Sequence, residues 1–216
     1  MYSKLPNKLR ATATQFLVQR MLTDFDLASI AELQRLVEEK LEHDIFCLQE
    51  KKSGFWYKKR NGSAIEWQDK LTRLHRFYPA SRNILDHHLF RILADGELLY
   101  RSVQWLELGE VYYLFSQLDD QINDAPFMRL FNKQYTTSTF TIFEKLLSHK
   151  GDDILTLLSE TLIARNFLCS PQAVKINSYM IRCAWPQFIH SLGRANYQNH
   201  LNQQLQLFLN STEKSN

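Results

Sequence analysis

The sequence predicts a mainly α, multi-helix globular domain with one small β-hairpin or meander near residues 45–67. Three observations carry this expectation. Only 6 Gly and 5 Pro interrupt 216 residues. Apolar residues recur at three- to four-residue spacing along most of the chain, the period of a helix with one buried stripe. One short stretch alone has a different texture. The apolar content of 44% and aromatic content of 12% supply a packed core and exclude a disordered chain.

The first helix is expected from about Lys8 to Met21, closed by Asp24 or Asp26. Ser29 and Glu32 then stand at capping-box spacing, where each side chain can satisfy a free backbone N–H at the helix start. Ile30, Leu33, Val37 and Leu41 follow on one face, with Glu38, Glu39 and Lys40 off it.

The texture changes after His43. Ile45-Phe46-Cys47-Leu48 is a short apolar run, Gly54 interrupts, and Phe55-Trp56-Tyr57 leads through Lys58-Lys59-Arg60 into Asn61-Gly62. Asn-Gly is the preferred pair for a type I′ hairpin turn because both residues tolerate positive φ. A hairpin set between helices follows, and it marks the seam if the chain has two lobes.

Beyond Asp69 the pattern is helical again. Leu71, Leu74 and Phe77 end at Pro79, and Ile84, Leu85, Leu89, Ile92 and Leu93 form a second face ended by Asp95-Gly96. Val111, Leu114, Phe115, Leu118 and Ile122 form a third, and Phe140, Phe143, Leu146 and Leu147 a fourth closed by Gly151. Asp152 or Asp153 caps a helix through Ile154, Leu157, Leu158 and Leu162. Ser170-Pro171 is a helix start, while Trp185-Pro186 and Gly193 are expected breaks. The last helix carries Tyr197, Leu201, Leu205 and Phe208 against a Gln- and Asn-rich face, and residues 211–216 read as a frayed tail. The expectation is a single domain over residues 1–210.

Composition narrows the function classes. A net charge of +3 permits contact with nucleic acid or an acidic partner without demanding it. No apolar run approaches the roughly 18 residues of a membrane span, and the first 20 residues lack the apolar core of a secretory signal. Cys47, Cys169 and Cys183 are widely spaced and form no C-x-x-C pair, which points to reduced thiols, a cytoplasmic location and no zinc site. No Gly-rich phosphate loop or nucleophile elbow occurs, so no cofactor is expected.

The leading candidate site is the basic–aromatic stretch Lys51, Lys52, Phe55, Trp56, Tyr57, Lys58, Lys59 and Arg60. Five cations in ten residues would displace counterions from phosphates. Exposed aromatic rings would stack on unpaired bases, at roughly 1–3 kcal/mol each. The plain alternative is that Phe55 and Trp56 pack inward while the lysines keep an edge soluble. Exposed aromatics beside arginine also suit protein interfaces.

A second candidate is Arg82-Asn83-Ile84-Leu85-Asp86-His87-His88. It resembles the R-x4–6-H motif of HEPN ribonucleases, which are all-helical. The resemblance covers these seven residues. It implies that Arg82 and His87 or His88 act on a scissile phosphate, arginine steadying charge and histidine moving a proton. Arg194 and His200 repeat the spacing. A third candidate, Asp119-Asp120-Gln121-Ile122-Asn123-Asp124, looks like the aspartate-rich motif of prenyl-chain synthases, which needs a second such motif. Asp152-Asp153 is the only other pair, and helix capping accounts for it.

With no assembled active site, the sequence favours a non-enzymatic accessory or regulatory protein. It would dock on nucleic acid or on a larger protein assembly through the basic–aromatic stretch. On the last helix Gln198, Asn202 and Gln206 would line a partner surface or serve only solubility; the rivals are a HEPN-like ribonuclease and a pure protein-interaction module.

Overall fold

A computed structural model describes residues 2–40, 54–66, 68–94, 154–165, 171–193 and 197–213. Among them every regular element is helical: a 3-10 turn at Tyr2–Lys4, then α1 (Asn7–Asp24), α2 (Ile30–Lys40), α3 (Phe55–Arg60), α4 (Gln68–Phe77), α5 (Ala80–Leu85), α6 (His88–Ala94), α7 (Ile154–Arg165), α8 (Pro171–Ser191) and α9 (Gln198–Glu213). None of these is long and apolar enough to cross a membrane. The chain divides into two compact units, Met1–Phe90 with Ile189–Gln203, and Arg91–Phe188 with Gln204–Asn216. The divisions fall within α6, α8 and α9, and not at the hairpin region.

The first unit is built around α1, whose residues 11–18 are buried on every side. Leu9, Ala11, Ala13, Phe16, Leu17, Val18 and Met21 are buried, but so are Thr12, Thr14 and Gln15. The threonines suit this position because each hydroxyl donates to the carbonyl one turn back, Thr12 to Lys8 at 2.9 Å and Thr14 to Arg10 at 2.9 Å. A buried hydroxyl satisfied within its own helix escapes most of its desolvation cost. Tyr2 locks the opposite side. Its hydroxyl lies 2.8 Å from Thr14 Oγ1, and the Ile65 N–H donates to it at 2.9 Å. The Tyr2 backbone N–H donates to Asp86 Oδ1 at 2.5 Å.

The start of α2 uses the expected pair with one shift. Ser29 Oγ accepts the Glu32 N–H at 3.2 Å, while the Glu32 carboxylate takes the N–H of Ala28, at 2.7 Å. Ile30, Leu33 and Val37 are its buried face.

The expected β-hairpin does not form. Residues 55–60 are α3, and Asn61-Gly62 closes that helix. The reason lies in the backbone. A type I′ turn needs positive φ at both residues, whereas Asn61 has φ −87° and only Gly62, at +88°, is left-handed. The Gly62 N–H donates to the Lys59 carbonyl and the Ser63 N–H to that of Lys58. This paired closure is a Schellman cap. Ile65, which a ladder would pair, gives its N–H to Tyr2 instead. Residues 45–53 and Trp67, the rest of that expectation, lie outside the described residues.

The face expected over Ile84–Leu93 is two helices, broken at Asp86-His87. His87 caps α6, its Nδ1 accepting the Leu89 N–H at 3.2 Å.

In the second unit α7 and α8 pair through buried polar groups. Asn177 Nδ2 donates to the Thr161 carbonyl at 2.8 Å, and Arg165 Nη1 donates to Ser178 Oγ at 2.6 Å and to the Val174 carbonyl at 3.3 Å. Residues 161 and 165 meet 177 and 174 in reverse order, so the two helices are antiparallel where they touch. Leu155, Leu158 and Leu162 on α7 and Met180, Ile181, Ala184 and Phe188 on α8 are buried. Pro171 opens α8 as its fixed φ favours. The break expected at Trp185-Pro186 is absent, and α8 continues to Ser191. Pro186 is exposed, and so is Arg182, whose carbonyl loses its donor. The broken bond therefore faces solvent, while Trp185 and Phe188 hold the inner face 5.3 Å apart. At the other end of the chain α9 carries Leu201, Leu205 and Phe208 buried, as its stripe predicts, and it stays helical through Glu213 where a frayed tail is expected.

Candidate nucleic-acid interface

The basic–aromatic stretch folds into α3 and splits into an inner and an outer face. Phe55 and Trp56 point inward, 5% and 3% exposed, with rings edge-on at 5.0 Å. They belong to the core and offer no platform to a base. Tyr57 is 49% exposed and Lys58 is exposed beside it. Lys59 and Arg60 are half-buried. Lys51 and Lys52 lie outside the described residues.

Two lysines converge on Phe55. Lys59 Nζ and Lys70 Nζ each sit 4.8 Å from its ring centroid, within the reach of a cation–π contact. Lys59 also donates to the Ala64 carbonyl at 2.6 Å. Phe55 thereby anchors positive charge from α3 and α4 at one place, where Lys58 and Arg60 stand one residue to either side of Lys59.

The carbonyls ending α3 are held by two distant segments. Gln15 Nε2 on α1 donates to the Arg60 carbonyl at 3.0 Å. Tyr197 Oη, just before α9, donates to the Gly62 carbonyl at 3.2 Å. Further along α1, a Cβ on Gly193 would lie 2.6 Å from Gln19 Nε2. His200, on the first turn of α9, is held below its ordinary pKa by burial and then by the Lys8 ammonium. Sequence reasoning placed Tyr197 in a core stripe and gave Lys8 no role. No local spacing points to them, because only the tertiary fold sets Tyr197 against Gly62 and His200 within the field of Lys8.

No protein-family model, curated protein or solved structure matches this chain.

The ribonuclease-like residues span two helices. Arg82 lies on α5, which ends at Leu85, while His87 sits in the break and His88 opens α6. The two histidine rings are 6.3 Å apart, and the Nδ1 of His87 is occupied in capping. A nearby Ser–His pair also has a structural role. His75 Nδ1 lies 2.8 Å from Ser81 Oγ, yet Ser81 is fully buried and its hydroxyl donates to the Tyr78 carbonyl. A nucleophile needs an approach path that a buried serine lacks. The 119–124 run and Asp152-Asp153 lie outside the described residues. Among the described residues no three His, Cys, Asp or Glu side chains are grouped to hold a metal ion.

Proposed function

We propose that this chain is a non-enzymatic accessory or regulatory protein that docks on nucleic acid through the outer face of α3. One observation carries the reading: Tyr57 stands about half exposed next to Lys58, on a helix whose other two aromatics are buried. A half-exposed ring gains from covering its apolar faces, and a stacked base does so while the neighbouring ammonium meets the phosphate. Arg60 and Lys70 add positive charge close by, and the helix C-terminus favours cations there.

Fluorescence anisotropy with labelled single- and double-stranded DNA and RNA at two salt concentrations tests the reading. Wild-type binding that weakens with salt and is lost in Tyr57→Ala/Lys58→Glu supports it. Both side chains are exposed, so the double variant keeps its fold. No binding near physiological salt sinks it.

Docking on a protein assembly is the second reading, and Leu207 favours it. At 57% exposure on α9, Leu207 stands between the exposed amides of Gln203 and Asn210. An apolar side chain framed by uncharged donors and acceptors suits a protein contact.

A further inference from the structure

We propose that the anion-binding face extends beyond α3, across Tyr197 and His200 to Lys8, as a track for the sugar–phosphate backbone of a single nucleic-acid strand. The inference rests on the nucleic-acid reading above and names the path and class of ligand.

The geometry comes from contacts along α1. Lys8, Thr12, Gln15 and Gln19 are spaced by four, three and four residues, so they share one face of that helix. Gly193 meets Gln19 near its C-terminal end. Gln15 meets Arg60, and Tyr197 meets the adjoining Gly62. Gly193, Tyr197 and His200 are therefore placed in that order along α1 toward its N-terminus, where the Lys8 charge acts on His200. From Gln15 to Lys8 is about 10 Å along the helix axis, enough for about two phosphates of an extended strand.

The groups on this path are cations and neutral donors. Lys58 and Lys8 are exposed, and Arg60, Tyr197 and His200 are partly exposed. Among the described residues, the acidic groups near α1 lie elsewhere. Asp86 and Glu66 belong to the Tyr2 side, which contacts Arg10 and Thr14 on the opposite face. Asp24 is the last residue of α1, about 24 Å from Lys8 along the axis, and Asp26 lies beyond it. A polyanion leaving α3 thus meets attraction toward Lys8, whereas at the far end the Arg20 charge is taken up by Asp24. The strand is single because Tyr57 offers its ring to a base, and only an unpaired base can lie on it.

The test measures single-strand oligonucleotide binding by the full chain over a salt series, comparing Lys8→Glu, His200→Ala, Lys58→Glu and Arg82→Glu. Arg82 is exposed on α5, on the Asp86 side, and its variant makes the same charge change as Lys8→Glu. Lys8→Glu is expected to weaken binding at least fivefold and to lower the salt slope by about one. His200→Ala is expected to weaken it about threefold, and Arg82→Glu by less than twofold. Circular dichroism checks folding, and Lys8→Gln replaces Lys8→Glu if that variant is misfolded. Wild-type affinity in both Lys8→Glu and His200→Ala, with binding lost in Lys58→Glu, overturns the track and leaves the α3 reading standing. Equal losses in Lys8→Glu and Arg82→Glu overturn it as well, since the attraction would be diffuse. Duplex bound as tightly as single strand overturns the choice of strand. No wild-type binding overturns track and reading together.

Discussion

Helices α1 and α3 end in the same hydrogen-bond pattern with different residues. At the end of α1 the Leu27 N–H reaches the Leu22 carbonyl and the Asp26 N–H that of Thr23. At the end of α3 the corresponding pairs are Ser63 to Lys58 and Gly62 to Lys59. The left-handed position is Gly62 in one and Asp26, at φ +52°, in the other. A glycine adopts that conformation without a Cβ penalty, whereas aspartate bears a cost that its short polar side chain only partly relieves. The two ends are also held differently. Side chains from elsewhere grip the carbonyls of α3, through Gln15 and Tyr197. At α1 the grip falls on a side chain: Tyr78 Oη donates to Asp24 Oδ2, and Arg20 Nε pairs with Asp24 Oδ1 at 2.9 Å. Phe25 covers the site against Phe77 and Tyr78, at 5.6 and 5.5 Å.

The glycines give the largest tests of this comparison. Gly193→Ala is expected to cost roughly 2 kcal/mol or more in urea denaturation, since a side chain at φ +72° is strained by about 1–2 kcal/mol and its Cβ must also displace Gln19. Gly62→Ala should cost about 1–2 kcal/mol on the backbone term alone. A loss below about 0.5 kcal/mol in Gly62→Ala would mean that the closure of α3 does not require the left-handed conformation. At α1 the sign reverses. Asp26→Gly should stabilise by about 0.5 kcal/mol, the relieved strain being offset by the greater unfolded-state freedom of glycine. Destabilisation on that change would place a favourable contact on the exposed Asp26 carboxylate.

The same comparison explains what was legible in the sequence. Helices with one buried stripe are legible, α2 by Ile30, Leu33 and Val37 and α9 by Leu201, Leu205 and Phe208, whereas α7 buries Leu155, Ser159, Thr161 and Arg165 besides its expected stripe. The Asn-Gly pair was recognised as a place of positive φ, but that property serves a helix cap and a hairpin turn alike, and tertiary bonds to Gln15 and Tyr197 accompany the cap here. The Phe55-Trp56-Tyr57 run was ambiguous for the same reason, because three adjacent aromatics fit a strand or a helix with two faces. Pro186 misled because a proline on an exposed helix face loses its bond to water and not to the core. Of the candidate interface, Tyr57 and Lys58 were visible as residue types. Lys8, Tyr197 and His200 were not, since nothing local joins residues nearly 190 positions apart.

The smallest expected effects are in pH dependence, and they separate the two helix ends again. Tyr78, at the end of α1, has its pKa raised by burial first and then by its hydrogen bond to Asp24. Its folded value lies above the unfolded value of about 10, so its contribution is complete below pH 10 and is lost as pH rises beyond. Burial raises Tyr2 too and adds to the same alkaline limb. Burial lowers His75, close to Tyr78 in the chain, with Asp86 opposing and Arg82 assisting. Its folded value lies below about 6.5, so the unfolded chain binds the extra proton and stability falls as pH drops below that point. His200 contributes in the same direction. Urea denaturation across pH 5 to 11 should therefore give a plateau between about 6.5 and 10 with a decline on either side. Tyr78→Phe should make the alkaline decline shallower, with Tyr2 still contributing, while leaving the acid limb unchanged, and His75→Gln should do the same to the acid limb alone. An alkaline limb that survives Tyr78→Phe at full slope would mean that the Tyr78–Asp24 contact does not hold the end of α1.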